Sequence, residues 1–188
     1  MEYKRRLFRW THGESEWFNT GLIDTSKNAD ESNGFMKGSH LAVSGETVYV
    51  GKRDGHLFQS LDGGNTWKDL TSSLPLHFER FNDIIFVGST IYVATDAGAL
   101  TSKDGEHWGT LTDKTGTHTI IDRIVGVGTT LYGAGNEGVY QLNRRSEWQK
   151  ISPEVPDSVI SLVSNNDRLY IATKQRGIFH ISFEETDD

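Results

Sequence analysis

The sequence is organised by a repeat of about forty residues, and this repeat restricts the possible folds more than any other feature. Tyrosines recur in short apolar segments at intervals of 43, 40 and 38 residues: Tyr49, Tyr92, Tyr132 and Tyr170. Glycines just before the next apolar segment keep nearly the same interval: Gly55, Gly98, Gly138 and Gly177. Such a repeat predicts supersecondary units that stack on one another, because a single unit cannot bury its own apolar faces.

Each repeat is predicted to contain four short strands. In the second repeat, for example, the apolar segments 83–88 and 90–93 are followed by a third at 99–101. In three repeats a turn then leads to a tryptophan that opens a fourth strand: Trp67, Trp108 and Trp148. Four antiparallel strands in each repeat are typical of a β-propeller blade. The predicted fold class is therefore all-β, a propeller of four-stranded antiparallel blades.

The repeat predicts one domain over residues 1–188, with incomplete blades at both ends. Three complete blades are predicted at 39–76, 80–114 and 119–155. The segment 5–23 matches a third strand, a turn and a fourth strand, and 158–184 matches the first three strands of a blade. The polar segment 24–38 between the first partial blade and the first complete one is predicted to be a long loop.

Two arrangements satisfy this strand inventory. The N-terminal strands could complete the C-terminal blade, which would close a ring of about four blades and remove open sheet edges. Alternatively, the chain is part of a larger ring that is closed by other sequence or by a second copy. Both ends supply a third strand, at 7–10 and 178–182, and only one is needed. This redundancy favours the larger ring or a homo-oligomer formed through the terminal blade edges.

Composition excludes several classes of function. The net charge of −7 argues against nonspecific nucleic-acid binding, which requires a dense basic surface. The chain has no cysteine, so disulfides, thiolate metal sites and cysteine nucleophiles are excluded. Seven scattered histidines show no ligand spacing, and no phosphate-binding glycine loop precedes a helix, so neither a metal nor a cofactor is expected. No signal peptide or membrane-spanning segment is recognised, and the compartment stays open.

The octet at 60–67, Ser-Leu-Asp-Gly-Gly-Asn-Thr-Trp, resembles the Asp-box, also called the bacterial neuraminidase repeat, of form Ser-x-Asp-x-Gly-x-Thr-Trp. A copy shortened by one residue lies at 102–108, whereas the segments 143–148 and 11–17 keep the tryptophan without the aspartate. The residues that carry the resemblance are Ser60, Asp62, Gly64, Thr66, Trp67, Ser102, Asp104, Gly105, Trp108, Trp148 and Trp17. The resemblance implies a turn between third and fourth strands, remote from the usual ligand site, in which the aspartates are structural.

Propellers of the Asp-box family include sialidases, sortilin-type receptors, a photosystem assembly factor and bacterial repeat domains, so the motif does not select a function. A sialidase-like glycoside hydrolase would need clustered arginines, a tyrosine nucleophile and an acidic proton donor. The Arg-Ile-Pro segment of sialidases is absent, and the repeated tyrosines occupy matching strand positions that are typical of core packing. We therefore expect a protein that is not an enzyme.

The remaining candidate site is the rim of the central channel that the first strands of a propeller would line. At this rim the first strands begin and the loops between second and third strands lie. Mixed charges in these places suit binding of a protein, peptide or glycan partner. The candidate partner-binding residues are Arg53, Arg80, Asp83, Asp122, Arg123 and Arg176. The alternative is a purely structural segment of a larger propeller, in a multidomain bacterial protein, whose only partner is the rest of its own ring.

Overall fold

The computed structural model describes residues 5–24, 40–52, 54–165 and 167–183. These residues form seventeen β-strands and one 3-10 turn at Thr71–Ser73, and they contain no α-helix. Within the same ranges there is no helix of the length and apolarity that crossing a membrane requires. The loop predicted at 24–38 lies, apart from Asp24, outside the described residues, and so does Arg53.

The strands follow one another closely along the chain. Strands β1 to β6 are Arg5–Arg9, Phe18–Asp24, His40–Ser44, Thr47–Gly51, Leu57–Ser60 and Lys68–Asp69. Strands β7 to β10 are Phe81–Val87, Thr90–Thr95, Gly98–Ser102 and Gly109–Asp113. Strands β11 to β14 are Arg123–Val127, Thr130–Gly135, Gly138–Leu142 and Glu147–Lys150. Strands β15 to β17 are Val159–Ser164, Arg168–Thr173 and Ile178–Ser182.

Short glycine turns explain why neighbouring strands pair with their sequence neighbours. The turns between first and second strands contain Gly45, Gly88 and Gly128, whose φ angles are 58°, 59° and 58°. A positive φ lets a two-residue turn match the twist of the strands on either side, and glycine adopts it without a Cβ clash. The β-branched and aromatic residues beside these turns favour extended backbone.

Pairing divides the strands into a series of antiparallel units. The first blade is β3–β6, the second β7–β10, the third β11–β14, the last β15–β17, and the N-terminal hairpin is β1–β2. The second and third blades join in one eight-stranded sheet because their outer strands β10 and β14 pair in parallel, with Thr112 opposite Glu147. This architecture confirms the predicted all-β propeller fold.

The apolar core lies in layers between the blades. One cluster joins the first and second blades and includes Leu57 and Ile84; another joins the second and third and includes Ala99 and Ile124. A further cluster joins the third and last blades, and a smaller one packs the hairpin residue Leu22 on the first blade. The first strands β3, β7, β11 and β15 neighbour one another in series. Burial of apolar side chains between successive blades therefore holds the blades together in sequence order.

The tryptophans at the start of the fourth strands pack at these interfaces. Trp148 is buried, with 3% of its surface exposed, between the second and third blades. Trp108 packs edge-on against Tyr49 of the first blade at a ring-centroid distance of 6.1 Å. Trp67 packs on the hairpin, and its indole N–H donates to the Thr20 carbonyl at 3.2 Å. Trp17, which begins the corresponding strand of the hairpin, is 68% exposed.

These differences predict unequal costs of truncating the tryptophans. We expect Trp148→Ala to lower the free energy of unfolding by about 3–5 kcal/mol, because it removes a buried aromatic side chain. Trp67→Ala should cost less, since Trp67 is only half-buried. Urea unfolding followed by circular dichroism measures both values, with Leu61→Ala as an exposed control. Equal costs for the two tryptophans would contradict the layered packing.

Candidate functional site

The antiparallel order separates two ends of the blades. The rim is the end at which first strands begin and loops connect second to third strands. The opposite end carries the turns between third and fourth strands, here called the tryptophan turns, at 60–67, 102–108 and 143–148. Candidate binding residues and turn residues therefore lie at opposite ends of the molecule.

In the first tryptophan turn, Asp62 is fully occupied by hydrogen-bond donors. Its Oδ1 accepts from the backbone N–H groups of Asn65 at 3.0 Å and Thr66 at 2.8 Å. Its Oδ2 accepts from the Thr66 hydroxyl at 2.6 Å. The Ser60 hydroxyl donates to Asp62 at 2.7 Å and accepts from the Gly64 N–H at 2.8 Å. These donors, with the two from Thr66 foremost, hold the pKa of Asp62 far below its ordinary value.

The second tryptophan turn repeats the arrangement with a histidine in place of the threonine. Asp104 Oδ1 accepts from the backbone N–H groups of Glu106 and His107, both at 2.8 Å. His107 Nδ1 lies 2.8 Å from Asp104 Oδ2, in the role of the Thr66 hydroxyl. The Gly105 N–H donates to the Ser102 hydroxyl at 2.8 Å. The His107 backbone and ring lower the pKa of Asp104, and the same side-chain hydrogen bond raises the pKa of His107.

In the third tryptophan turn, Asn143 replaces the aspartate and reverses one hydrogen bond. Its Oδ1 accepts from the N–H groups of Arg145 at 2.8 Å and Glu147 at 3.0 Å. Its Nδ2 donates to Glu147 Oε2 at 3.0 Å, where the aspartates accept. Sequence reasoning missed this role, although Asn143 and Glu147 have the same four-residue spacing as Asp62 and Thr66.

At the rim, three residues in equivalent positions reach from one blade to the next. His40, Asp83 and Arg123 each pair with the residue two after the repeated tyrosine: Gly51, Ala94 and Ala134. His40 lies beside Phe81 and Asp83 of the second blade, and Asp83 Oδ2 accepts from the Ile124 N–H at 2.9 Å. Arg123 Nε donates to the Ile160 carbonyl at 2.9 Å. These bonds connect neighbouring first strands.

Two of the predicted partner-binding residues thus bind the neighbouring blades. Arg123 Nη1 also donates to the carbonyls of Asn82 at 2.9 Å and Asp122 at 2.6 Å. Asn82 itself donates from Nδ2 to the Ile121 carbonyl at 2.9 Å. The guanidinium of Arg123 therefore contacts three blades through backbone carbonyls, and the carboxylate of Asp83 supports the same junction.

Arg80 and Asp122 lie beside this junction, and their side chains form fewer hydrogen bonds than that of Arg123. Arg80 is exposed, and its Nε donates to Asn82 Oδ1 at 3.3 Å. Asp122 is half-buried, and no hydrogen bond to its carboxylate is found among the described residues. Burial raises the pKa of Asp122, and the nearby Arg123 and Arg80 oppose this only in part. Burial lowers the pKa of His40, because it disfavours the charged imidazolium, and the negative charge of Asp83 opposes this shift.

Arg176 lies in the loop between the second and third strands of the last blade. Its side chain is exposed, and its backbone N–H donates to Thr173 Oγ1 at 3.2 Å. In this part of the rim Asp157 accepts from the backbone N–H groups of Ser158 and Gln175, which lowers its pKa. The structure therefore brings Arg80, Asp83, Asp122 and Arg123 together at neighbouring first strands, with Arg176 on a separate loop.

Neither a family model nor a curated protein matches the chain. The chain is similar in structure to the computationally designed Ika4 protein, at 14% identity and a TM-score of 0.61, over 81% of this chain and 95% of that chain. It is also similar to YCF48 bound to D1 peptide, at 12% identity and a TM-score of 0.56, over 75% of this chain and 48% of that chain.

A third similar structure is the extracellular domain of the putative one component system BT4673 from B. thetaiotaomicron, at 15% identity and a TM-score of 0.64. The match covers 79% of this chain and 21% of that chain. The chain thus spans about half the length of YCF48 and about a fifth of BT4673. At these identities the likeness concerns the propeller fold.

The reversed hydrogen bond in the third tryptophan turn predicts the effect of restoring an aspartate. Asn143→Asp should lower the free energy of unfolding by about 1 kcal/mol, because two carboxylates then face each other and a hydrogen bond is lost. Adding Glu147→Thr should recover most of that loss, since the threonine hydroxyl can donate as Thr66 does. Urea unfolding of both single variants and the double variant measures the coupling; strictly additive effects would contradict the assigned hydrogen bonds.

The His107–Asp104 contact predicts a pH dependence of stability. The pKa of His107 is raised in the folded state, so the folded chain binds its proton more tightly than the unfolded chain. The resulting stabilisation should be complete below the ordinary histidine pKa of about 6.5 and lost as pH rises through the raised value. NMR titration of the His107 ring and unfolding at several pH values test this. His107→Thr should remove this part of the pH dependence, and its persistence would refute the assignment.

Proposed function

We propose that the chain is a non-enzymatic propeller interaction module of the Asp-box type, which binds a protein or peptide segment, or a glycan, through Arg80 and Asp122 at the rim. The observation that carries the proposal is the half-buried carboxylate of Asp122, which has no hydrogen-bond donor among the described residues. A half-buried carboxylate without a protein donor has lost part of its hydration, and an N–H, ammonium or hydroxyl group of a partner would compensate that loss. Arg80 adds an opposite charge at the same place.

The tryptophan turns support the Asp-box part of the proposal. Asp62 and Asp104 accept hydrogen bonds in the same pattern at blade spacing, and their carboxylates hold the turns at the end away from the rim. A partner at the rim would leave these turns undisturbed. The similar structure of YCF48 is bound to a D1 peptide, and a peptide partner for this chain is compatible with that likeness.

The non-enzymatic part of the proposal is supported by the surroundings of the arginines and tyrosines. Arg123 donates to three backbone carbonyls from Nε and Nη1, so only the N–H groups of Nη2 are left for a substrate carboxylate. Tyr49 and Tyr132 are buried in the clusters between blades, where a nucleophile could not reach a sugar. A structural role is the second candidate, and the bonds of Asp83 and Arg123 to neighbouring blades favour it.

The experiment uses the purified chain as a probe on arrays of synthetic peptides and of glycans. We expect binding that falls at least about tenfold in Asp122→Asn and in Arg80→Ala, since each change removes a charged contact at the partner surface. The controls are Lys103→Ala and Arg144→Ala, which change exposed residues of the tryptophan turns. Both variants should bind as the wild type does.

Circular dichroism checks that each variant folds. This check is needed because Arg80 and Asp122 lie beside the hydrogen bonds of Arg123. Binding that is equal in Asp122→Asn, Arg80→Ala and the controls, or absent on both arrays, would favour the purely structural role. Turnover of a fluorogenic sialoside by the wild type, lost in Arg123→Ala, would instead overturn the non-enzymatic part of the proposal.

A further inference from the structure

The last blade has an apolar face that no other blade covers in the part of the chain that the structure describes. Leu57, Ala99 and Val139 occupy equivalent positions, each paired with the residue two after the repeated tyrosine, and they are 0%, 1% and 1% exposed. The following blade buries them in every case. Ile178 occupies the same position in the last blade, opposite Ala172, and is 73% exposed.

Neighbouring residues extend this uncovered face. Val163, Tyr170 and His180 are opposite one another in the three strands, so they share one side of the sheet with Ile178. Val163 is exposed, although it lies opposite Tyr170, whose counterparts Tyr49 and Tyr132 are buried. β17 pairs only with β16 among the described strands, whereas the third strand of each complete blade has a fourth strand beside it. Both a face and an edge of the last blade are open.

The first blade has a complementary gap at its opposite face. Ile84, Ile124 and Leu162 lie at equivalent positions of their first strands, and they are 3%, 4% and 6% exposed beneath the preceding blade. Leu41 is the corresponding residue of the first blade and is 52% exposed. The cluster between the N-terminal hairpin and the first blade contains Val48 and Val50 of the second strand, with Phe58 and Trp67, and it does not include Leu41 of the first strand. Among the described residues, no first or second strand of a preceding blade lies over Leu41.

The register shows that β17 and β1 hold the same place in a blade. Arg9 pairs with Phe18, the residue after Trp17, just as Gln59 pairs with Lys68, the residue after Trp67. His180 pairs with the repeated Tyr170 as Gln59 pairs with Tyr49. β17 can therefore stand beside β2 in the place of β1, and it would bring β15 and β16 with it to lie over Leu41.

We propose that two copies of this chain associate head to tail in one ring, with β17 of each copy replacing β1 beside β2 of the other. Replacement gives up the packing of Leu7 and the bond from Arg9 Nη1 to the Gly63 carbonyl. In return it buries the face around Ile178 and the exposed Leu41, and it provides the last blade with a fourth strand.

The second copy is the occupant because both halves of the missing interface are present in this chain and remain apart within it. β2 and β17 belong to different sheets of the described structure. The hairpin is also a poor end for the series, since two strands alone are only marginally stable. A contact between unlike surfaces forms a closed ring when the rotation permits it.

Cross-linking between introduced cysteines provides the test, because the chain has no cysteine of its own. Opposed residues of antiparallel strands lie within disulfide reach. In Phe18→Cys/His180→Cys we expect oxidation to join two copies, with the doubled mass seen on a non-reducing gel. Light scattering of the wild type should give the same doubled mass. A disulfide within one chain, a wild-type monomer at every concentration, or open chains of higher mass would overturn the proposal.

A matched control locks β1 in its present place. Arg9→Cys/Phe18→Cys should form a disulfide within the hairpin and keep the oxidised protein as a single copy, and reduction should restore the pair. Association that is unaffected by this lock would refute the strand replacement. Ile178→Ser should weaken association at least about tenfold, whereas Leu61→Ser, an equally exposed apolar residue at a tryptophan turn, should leave it unchanged. Circular dichroism checks that both variants fold.

Discussion

The packing of one blade on the next is the interaction on which the rest of this structure depends. Nearly all of the strand pairing lies within a blade, but every large apolar cluster takes its residues from two neighbouring blades. A four-stranded blade on its own would expose to water the apolar faces that it buries against its neighbours. Stability in such a series is the sum of contacts between neighbours, so residues at equivalent positions are buried or exposed according to whether a neighbour is present. Ile178 and Val139 show this contrast directly.

Polar contacts at both ends of the blades hold this packing in register. At the rim, an aspartate and an arginine in equivalent positions each connect one first strand to the next, although they differ in charge. In the tryptophan turns, a threonine hydroxyl, a histidine ring and a glutamate occupy the same place opposite Asp62, Asp104 and Asn143. The repeat keeps the position of each hydrogen bond and changes the chemical groups that form it, because several donor and acceptor pairs satisfy the same geometry.

Local sequence patterns were sufficient to predict the propeller fold, whereas the contacts between blades could not be predicted from the sequence. The spacing of the tyrosines and the glycine turns depends on neighbouring residues, so strands and hairpins could be inferred from them. The parallel pairing of β10 with β14 depends on how two blades are rotated relative to each other, which no local pattern encodes. For the same reason Asp83 and Arg123 were recognised as rim residues while their bonds to neighbouring blades were not. Asn143 was missed because the turn motif that resembles the Asp-box requires an aspartate.

The carboxylates of this protein show why exposure alone does not identify a binding site. Asp62 and Asp104 stand on surface turns, but their oxygens already accept several hydrogen bonds and their pKa values are held low. Asp122 is half-buried, and burial raises its pKa because no donor among the described residues compensates the lost hydration. The free energy available to a partner is the part of the desolvation cost that the fold has not already compensated. That part is smaller at the tryptophan turns than at Asp122, which is why the proposed interaction is placed at the rim.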